Sequence, residues 1–204
     1  MTDGVAWLRQ SALPAEAGVL TSLPDSSEMR RLPFAGWRQW FIDTAAVVVS
    51  AVHERSAAVF YQTDVKRDGA WVDKAFLVQL GAEAAGVRLL WHKIVCRAPA
   101  GTATGGRPGY AHLLCFSRGL DDPIAAATAD VLPRLGSMTW SRAMGLCAVE
   151  FATAWLRDRA GARTIVDPFC GVGTALAVAN RLGLHAIGVE IAPGRAEKAR
   201  QLRA

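Results

Sequence analysis

The stretch Thr164-Ile165-Val166-Asp167-Pro168-Phe169-Cys170-Gly171-Val172-Gly173-Thr174, followed by Ala186-Ile187-Gly188-Val189-Glu190-Ile191, decides the fold of this chain. Four residues with an apolar centre read as a buried strand, Gly171 to Gly173 as a turn, the apolar run after Thr174 as a helix, and residues 186–189 as a second strand ended by an acid. Glycine lets the backbone approach a ligand without a β-carbon in the way. An acid at the end of the second strand, about 20 residues past the glycines, is placed to accept from both hydroxyls of a ribose. This is the logic of a nucleoside-binding βαβ unit. Two rival readings fit less well. A dinucleotide fingerprint requires G-x-G-x-x-G, and Leu176 stands where the third glycine belongs; a P-loop requires Gly-Lys-Ser/Thr, which the chain lacks.

Outward from this unit, the 204 residues suit a single domain spanning 1–204, with about half of them hydrophobic (51%). No apolar run is as long as a membrane span, and the N-terminus carries no basic and apolar leader pattern, so a cytoplasmic protein without membrane contact is expected. Cys96, Cys115, Cys147 and Cys170 show no CxxC spacing and no nearby histidine ligands, which argues against a metal site and for reduced thiols. A formal charge of +5 leans only mildly toward a polyanionic partner.

Hydrophobic periodicity assigns strands to residues 5–9, 18–22, 57–61, 88–96, 110–116, 164–166 and 186–189. Helices are expected at 34–52, 71–85, 141–159, 174–182 and 193–203, and the glycine- and threonine-rich connector, residues 98–109, is expected to be a disordered loop. Alternating strands and helices imply an α/β protein with a doubly wound, seven-stranded, mostly parallel sheet. The strands 88–96 and 110–116 lack an intervening helix and should form one antiparallel hairpin.

The wording Asp167-Pro168-Phe169-Cys170-Gly171-x-Gly173-Thr174 resembles motif I of the class I S-adenosylmethionine (SAM)-dependent methyltransferases, and most of all the families that methylate amino nitrogens of nucleic-acid bases. That resemblance implies a Rossmann-like fold, SAM as cofactor, and a circular permutation, because motif I lies near the C-terminus and the catalytic segment before it. Residues 5–12 would then supply the third strand, beside residues 186–189, and residues 18–25 the fourth strand with its catalytic loop. Residues 137–153 would be the cofactor-flanking helix, with Trp140-Ser141-Arg142 in place of the usual Lys-Pro. The resemblance assigns Phe169, Cys170, Gly171, Gly173 and Thr174 to the methionine and ribose side of SAM, Glu190 to the ribose, and Ile191 to the adenine. Ser11 and Ala12 would line the adenine edge. Asp167 would either reach the cofactor's ammonium or orient the glycine loop.

Amino-methylating families carry Asp/Asn/Ser-Pro-Pro-Tyr/Phe in the catalytic loop, where this chain has Ser22-Leu23-Pro24-Asp25. Ser22 and the Leu23 carbonyl remain able to polarise a target nitrogen, and Pro24 to stiffen the turn. The aromatic platform is replaced by Asp25, either an acceptor or base for the target or a loop carboxylate. Tyr61 or Phe34 would have to supply the lost stacking surface. Trp37 and Trp40, at helical spacing, read as core, and Asp64, Lys66, Asp73 and Lys74 as a solvated rim. Arg30, Arg31, Arg38, Lys66 and Arg67 fit phosphate contacts.

The function expected is SAM-dependent N-methylation of a nucleic-acid base. RNA is favoured over DNA because no segment is long enough for a large recognition domain, whereas structured RNA presents unstacked bases. The alternatives are a small-molecule methyltransferase and a catalytically degenerate SAM-binding subunit.

Overall fold

A computed structural model describes residues 2–121 and 127–203. Their order is α1 (Gly4–Gln10), β1 (Ala17–Thr21), α2 (Phe34–Ala51), β2 (Ala58–Gln62), β3 (Val65–Arg67), β4 (Ala70–Val72), α3 (Lys74–Ala84), β5 (Arg88–Cys96), β6 (Tyr110–Ser117), β7 (Val131–Leu132), α4 (Leu146–Arg159), β8 (Thr164–Asp167), α5 (Thr174–Arg181), β9 (His185–Gly188) and α6 (Pro193–Gln201). Seven strands form one sheet in the order β7-β5-β6-β2-β1-β8-β9, and β3 and β4 form a separate hairpin. Strand β6 runs antiparallel to both neighbours, and every other pairing in the large sheet is parallel. The expected α/β sheet with one antiparallel hairpin strand is therefore present.

The central strands β1 and β2 are buried throughout, as an apolar strand covered on both faces must be. One core layer, built on Leu20, Val59, Leu113, Ile165 and Leu156, lies under α4 and α5. The opposite layer, built on Val19, Phe60, Leu114, Trp37 and Phe41, lies under α2 and α3. Strand β1 pairs with β8, so Val19 sits opposite Val166 although the two are far apart in sequence. The loop after β1 thus emerges beside the glycine loop after β8, at the carboxyl ends where open α/β sheets bind ligands.

Three expectations are corrected. Residues 5–9 are helical, not a strand: Asp3 caps the segment, its side chain accepting from the Ala6 amide at 2.9 Å, and this N-cap outweighs the apolar run. No described strand therefore pairs with the outer edge of β9, and the seventh strand is β7 at the opposite end. Residues 71–85 divide into β4 and α3. Asp68 and Gly69 both take positive φ (50° and 78°), the turn that an Asp-Gly pair favours in a tight hairpin, and Asp73 then caps α3 through the Phe76 amide. Finally, α4 begins at Leu146, not 141. The Cys147 amide donates to the Leu135 carbonyl and the Leu146 amide to the Ser137 carbonyl, which holds residues 137–145 as a loop. Residues 98–109 are described as turns and loop between β5 and β6.

Helices α2 and α3 approach closely because Gly81 has no side chain; a β-carbon there would stand 2.3 Å from the Ile42 carbonyl oxygen and 2.8 Å from the Ala45 β-carbon. Backbone cannot rotate away as a side chain can. Gly81→Val is expected to lower the free energy of unfolding by about 2–3 kcal/mol, measured by urea denaturation. Gly194→Ala, which meets open space, should stay within about 0.5 kcal/mol of the parent.

Candidate functional site

The β8 carboxyl end carries Asp167, only 1% exposed. Its Oδ1 accepts from the Thr21 hydroxyl at 2.6 Å and from the Phe169 amide at 3.1 Å. Burial pushes the Asp167 carboxyl up to about 7, and the negative charge of Glu190 adds to this, against the two hydrogen bonds. Asp167 thereby ties the end of β1 to the start of the glycine loop. Gly171 and Gly173 both adopt left-handed backbone, φ 56° and 87°, which a side chain would oppose. Glu190 closes the loop from below: its Oε2 accepts from the Gly171 amide at 3.1 Å and its Oε1 from the Ala192 amide at 2.8 Å.

These elements surround a cavity of about 710 Å³, within the range of cofactor sites. Of the sequence-derived cofactor residues, Asp167, Phe169, Cys170, Gly171, Thr174, Glu190 and Ile191 line it. Gly173 does not, and instead stands at the N-cap of α5. Ser11 and Ala12 are also absent from the lining. With residues 4–10 helical, Ser11 is the C-cap of α1, and the helix's other end brings Asp3 and Gly4 to the cavity. A β-carbon on Gly4 would stand 2.1 Å from the Pro168 carbonyl oxygen, so the first turn of α1 lies directly on the loop after β8.

Ser22, Leu23 and Pro24 line this cavity as well, but Asp25 does not. It borders an adjoining cavity of about 310 Å³, together with Tyr61, Thr63, Asp64, Lys74 and Arg97. The two spaces share Ser22, Leu23, Ser27, Glu28, Arg142 and Ala143 as walls. The Pro24 carbonyl accepts from the Trp37 indole at 3.2 Å, so buried Trp37 anchors the loop from the core. Burial alone would raise the Asp25 carboxyl. The Lys74 ammonium at 3.2 Å, with hydrogen bonds from the Ser27 amide and the Ser26 hydroxyl, outweighs burial and holds Asp25 below the usual carboxylate range.

Asp64 and Lys74 are not a solvated rim: they are 3% and 5% exposed. Asp64 accepts from the Lys74 amide at 2.8 Å, the Trp71 indole at 3.0 Å and His112 at 3.0 Å. Burial works against its ionisation, yet these donors hold its pKa low. His112 in turn meets His92 at 2.8 Å. Ligand atoms of Asp64, Asp73 and His112 lie within 4.8 Å of one another, but both Asp64 oxygens and the Asp73 cap are already engaged by protein donors.

Several lining residues had no clear sequence signal. Trp140, from the loop before α4, packs against Gly171, where an added β-carbon would stand 3.3 Å from its ring. Arg195 lies over the Trp140 ring, and both Arg142 and Arg195 reach Glu28 Oε1 at 3.2 Å. Thr139 shares a hydroxyl hydrogen bond with Thr174 at 2.6 Å. Tyr61 supplies an aromatic wall to the smaller cavity, whereas Phe34 lies under Arg67 and borders neither space. Trp40 reaches the larger cavity and meets Phe169 edge-on. Arg30 and Arg31 also line it. Burial and the negative carboxyls of Asp167 and Glu190 push the Cys170 thiol up to about 12, which leaves it a packing group and not a nucleophile.

Residues 162–201 match the family model of N6_N4_Mtase DNA methylases. No match is found among curated proteins by sequence. Among solved structures, the chain is similar to a candidate DNA modification methylase, TTHA0409 from Thermus thermophilus, with a TM-score of 0.75 and 16% identity over 98% of this chain and 91% of that one. The same protein complexed with S-adenosyl-L-methionine gives 0.74 at 18% identity, over 98% and 91%. The cytosine-N4-specific PvuII DNA methyltransferase gives 0.71 at 17% identity, over 98% of this chain and 83% of that one. No helix among the described residues is long and apolar enough to cross a membrane. The chain has the fold of these methyltransferases.

The raised Asp167 pKa fixes a pH dependence. In the unfolded chain an aspartate titrates near ~3.9, so between about 4 and 7 the folded protein binds the extra proton. The stability that this carboxyl contributes is fully present below the unfolded pKa and is lost as pH rises through the folded value of about 7. Asp167→Asn keeps an acceptor for Thr21 and Phe169 but cannot ionise. Urea unfolding from pH 4 to 8 should show the variant gaining on the parent by on the order of a few kcal/mol. Parallel curves would assign the ionised form to Asp167 throughout.

Proposed function

We propose that the chain is a SAM-dependent N-methyltransferase that acts on a DNA base. The observation that carries this reading is the junction of the two cavities at Ser22 and Leu23. One space has the glycine turn and acid-ended strand suited to a nucleoside, and the other opens from it past the catalytic loop. The residues fit the cofactor. Gly171 leaves its backbone bare toward the cavity, Glu190 offers a carboxylate at the ribose position, and Phe169, Ile191 and Trp140 provide apolar and aromatic surface around an adenine. When bound, SAM would supply an electrophilic methyl group to the target amine.

The chain's own residues act by position. Ser22 and the Leu23 carbonyl stand at the shared wall, where they can accept from the target amine and aim its lone pair. Asp25 faces the same amine from the adjoining cavity, held ionised beside Lys74. A carboxylate there stabilises positive charge as it develops on nitrogen, an interaction strongest in the transition state. The Trp37 anchor on Pro24 keeps this loop in place without solvent reorganisation. In-line placement of the reacting atoms supplies much of the acceleration in such a transfer.

The preference for RNA rested on the lack of room for a recognition domain. A DNA modification methylase candidate of which this chain spans 91% removes that ground, because compactness no longer discriminates between the two nucleic acids. DNA is therefore the proposed substrate, in a cytoplasmic setting suggested by the cysteine spacing.

The reading is tested by titrating SAM calorimetrically and assaying transfer of labelled methyl to DNA, RNA and a metabolite extract, with nucleoside mass spectrometry of the product. Incorporation as an N-methylated base in DNA is expected; incorporation into RNA or metabolites alone, or none, would overturn it, and the last outcome with SAM still bound would point to a cofactor-binding subunit. Glu190→Ala should weaken SAM by about 1–3 kcal/mol, and an unchanged affinity would remove Glu190 from the site. Asp25→Asn should lower methylation about 10-fold or more with SAM affinity nearly unchanged.

A further inference from the structure

The smaller cavity is bordered by a buried ammonium group. Lys74 is the first residue of α3 and is 5% exposed. Its backbone amide is fixed on Asp64 at 2.8 Å, and its Nζ lies 3.2 Å from Asp25 Oδ2. An ammonium carries three donors, and among the described residues Asp25 is the one hydrogen-bond partner of this Nζ. Burying an ammonium with unmatched donors is unfavourable unless acceptors meet it. Lys74 also lines the cavity, so the missing acceptor is to be expected on whatever enters there.

The entering group also meets Asp25, whose Oδ1 already accepts from Ser26 and Ser27 and whose Oδ2, 3.2 Å from that donor, has room to accept a further hydrogen bond. The cavity therefore offers an acceptor and a donor side by side, next to the aromatic wall of Tyr61. The complement is a donor next to an acceptor on one flat edge. We infer that Lys74 is a specificity-determining residue: it donates to the ring nitrogen adjacent to the target amino group while Asp25 accepts from the amine, which selects the amino-bearing pairing edge of cytosine or adenine over the oxygen-bearing pairing edge of thymine and guanine. On the pairing edge of thymine and guanine the polarity is reversed, since the ring nitrogen carries a proton that would face the ammonium and the exocyclic oxygen would face the carboxylate. Lone pairs and a proton misplaced in a desolvated pocket are what make such discrimination large. The inference rests on the reading of the chain as a base N-methyltransferase, and it assigns a role to a side chain that the catalytic motif does not contain.

The test compares equilibrium binding, with S-adenosylhomocysteine present, of single-stranded oligonucleotides that carry one cytosine or one adenine. Matched strands carry the analogue in which the adjacent ring nitrogen is replaced by C–H, which keeps the amine and removes the acceptor. The wild-type protein should bind one of the natural strands about 10-fold or more tightly than its analogue. Lys74→Met should abolish that difference while SAM affinity, which reports the intact fold, is retained. Lys74→Leu, which also removes the donor, serves the same comparison if the methionine variant does not fold. Equal binding of both strands by the wild type, or persistent discrimination in the lysine variants, would overturn the assignment. Methyl transfer by the wild-type protein to the same strands, measured with SAM in place of S-adenosylhomocysteine, separates the two levels. Transfer to DNA without dependence on the ring nitrogen rejects Lys74 alone, whereas no transfer to DNA rejects the function on which it rests.

Discussion

The hydrogen bond from the Thr21 hydroxyl to Asp167 Oδ1, 2.6 Å long and wholly buried, is the constraint on which the site depends. It joins the carboxyl ends of β1 and β8, neighbours in the sheet that are separated by most of the chain. The loop that follows each strand starts from this point, the glycine turn on one side and Ser22 to Asp25 on the other. A buried carboxyl must be hydrogen-bonded or neutral. Here it is both partnered and shifted upward, so its placement leaves little freedom to either loop.

A second polar hub does the same for the adjoining cavity. Asp64, at the end of β2, collects donors from β4, α3 and β6 through Trp71, Lys74 and His112. Such a network fixes geometry because each missing partner would leave a buried polar group unsatisfied. Its consequence reaches the site through one residue. With its backbone pinned on Asp64, Lys74 presents its ammonium to Asp25, and Asp25 is held below the usual carboxylate range at the edge of the loop after β1. The aromatic residue usual at that position in the methyltransferases that this loop resembles is absent, and Tyr61 on β2 provides the nearest aromatic wall instead. Both Tyr61 and Asp64 reach the cavity because they lie at the carboxyl end of the strand next to β1.

The helix α1 shows how a local signal can be misread. Val5 to Leu8 is apolar enough for a strand, but Asp3 supplies an N-cap and Gly4 a close approach to Pro168. The helix so formed lies against the glycine loop and leaves β9 as a sheet edge among the described residues. The Asp68-Gly69 hairpin is a second instance, since the pair that makes the turn is plain in the sequence and only the run of apolar residues after it suggested continuous helix. In both cases a capping or turn residue decided the backbone, and periodicity over a few residues was a weaker force.

What the sequence determined by itself was local and periodic. The buried strands β1, β2, β6 and β8 are continuous apolar runs, the glycine turn needs left-handed backbone at Gly171 and Gly173, and Glu190 ends the strand that follows. Those features fixed the βαβ unit, because each depends on neighbours only a few positions away, and the family resemblance they carry pointed to seven of the residues around the larger cavity. Tertiary structure alone decided the rest. Nothing near Lys74 in sequence says that it is buried or that Asp25, 49 residues away, is its partner. Nothing near Glu28 says that Arg142 and Arg195 converge on it. Charged side chains carry no period that distinguishes a solvated face from a desolvated pair, and only the packing of distant elements sets the dielectric in which they sit.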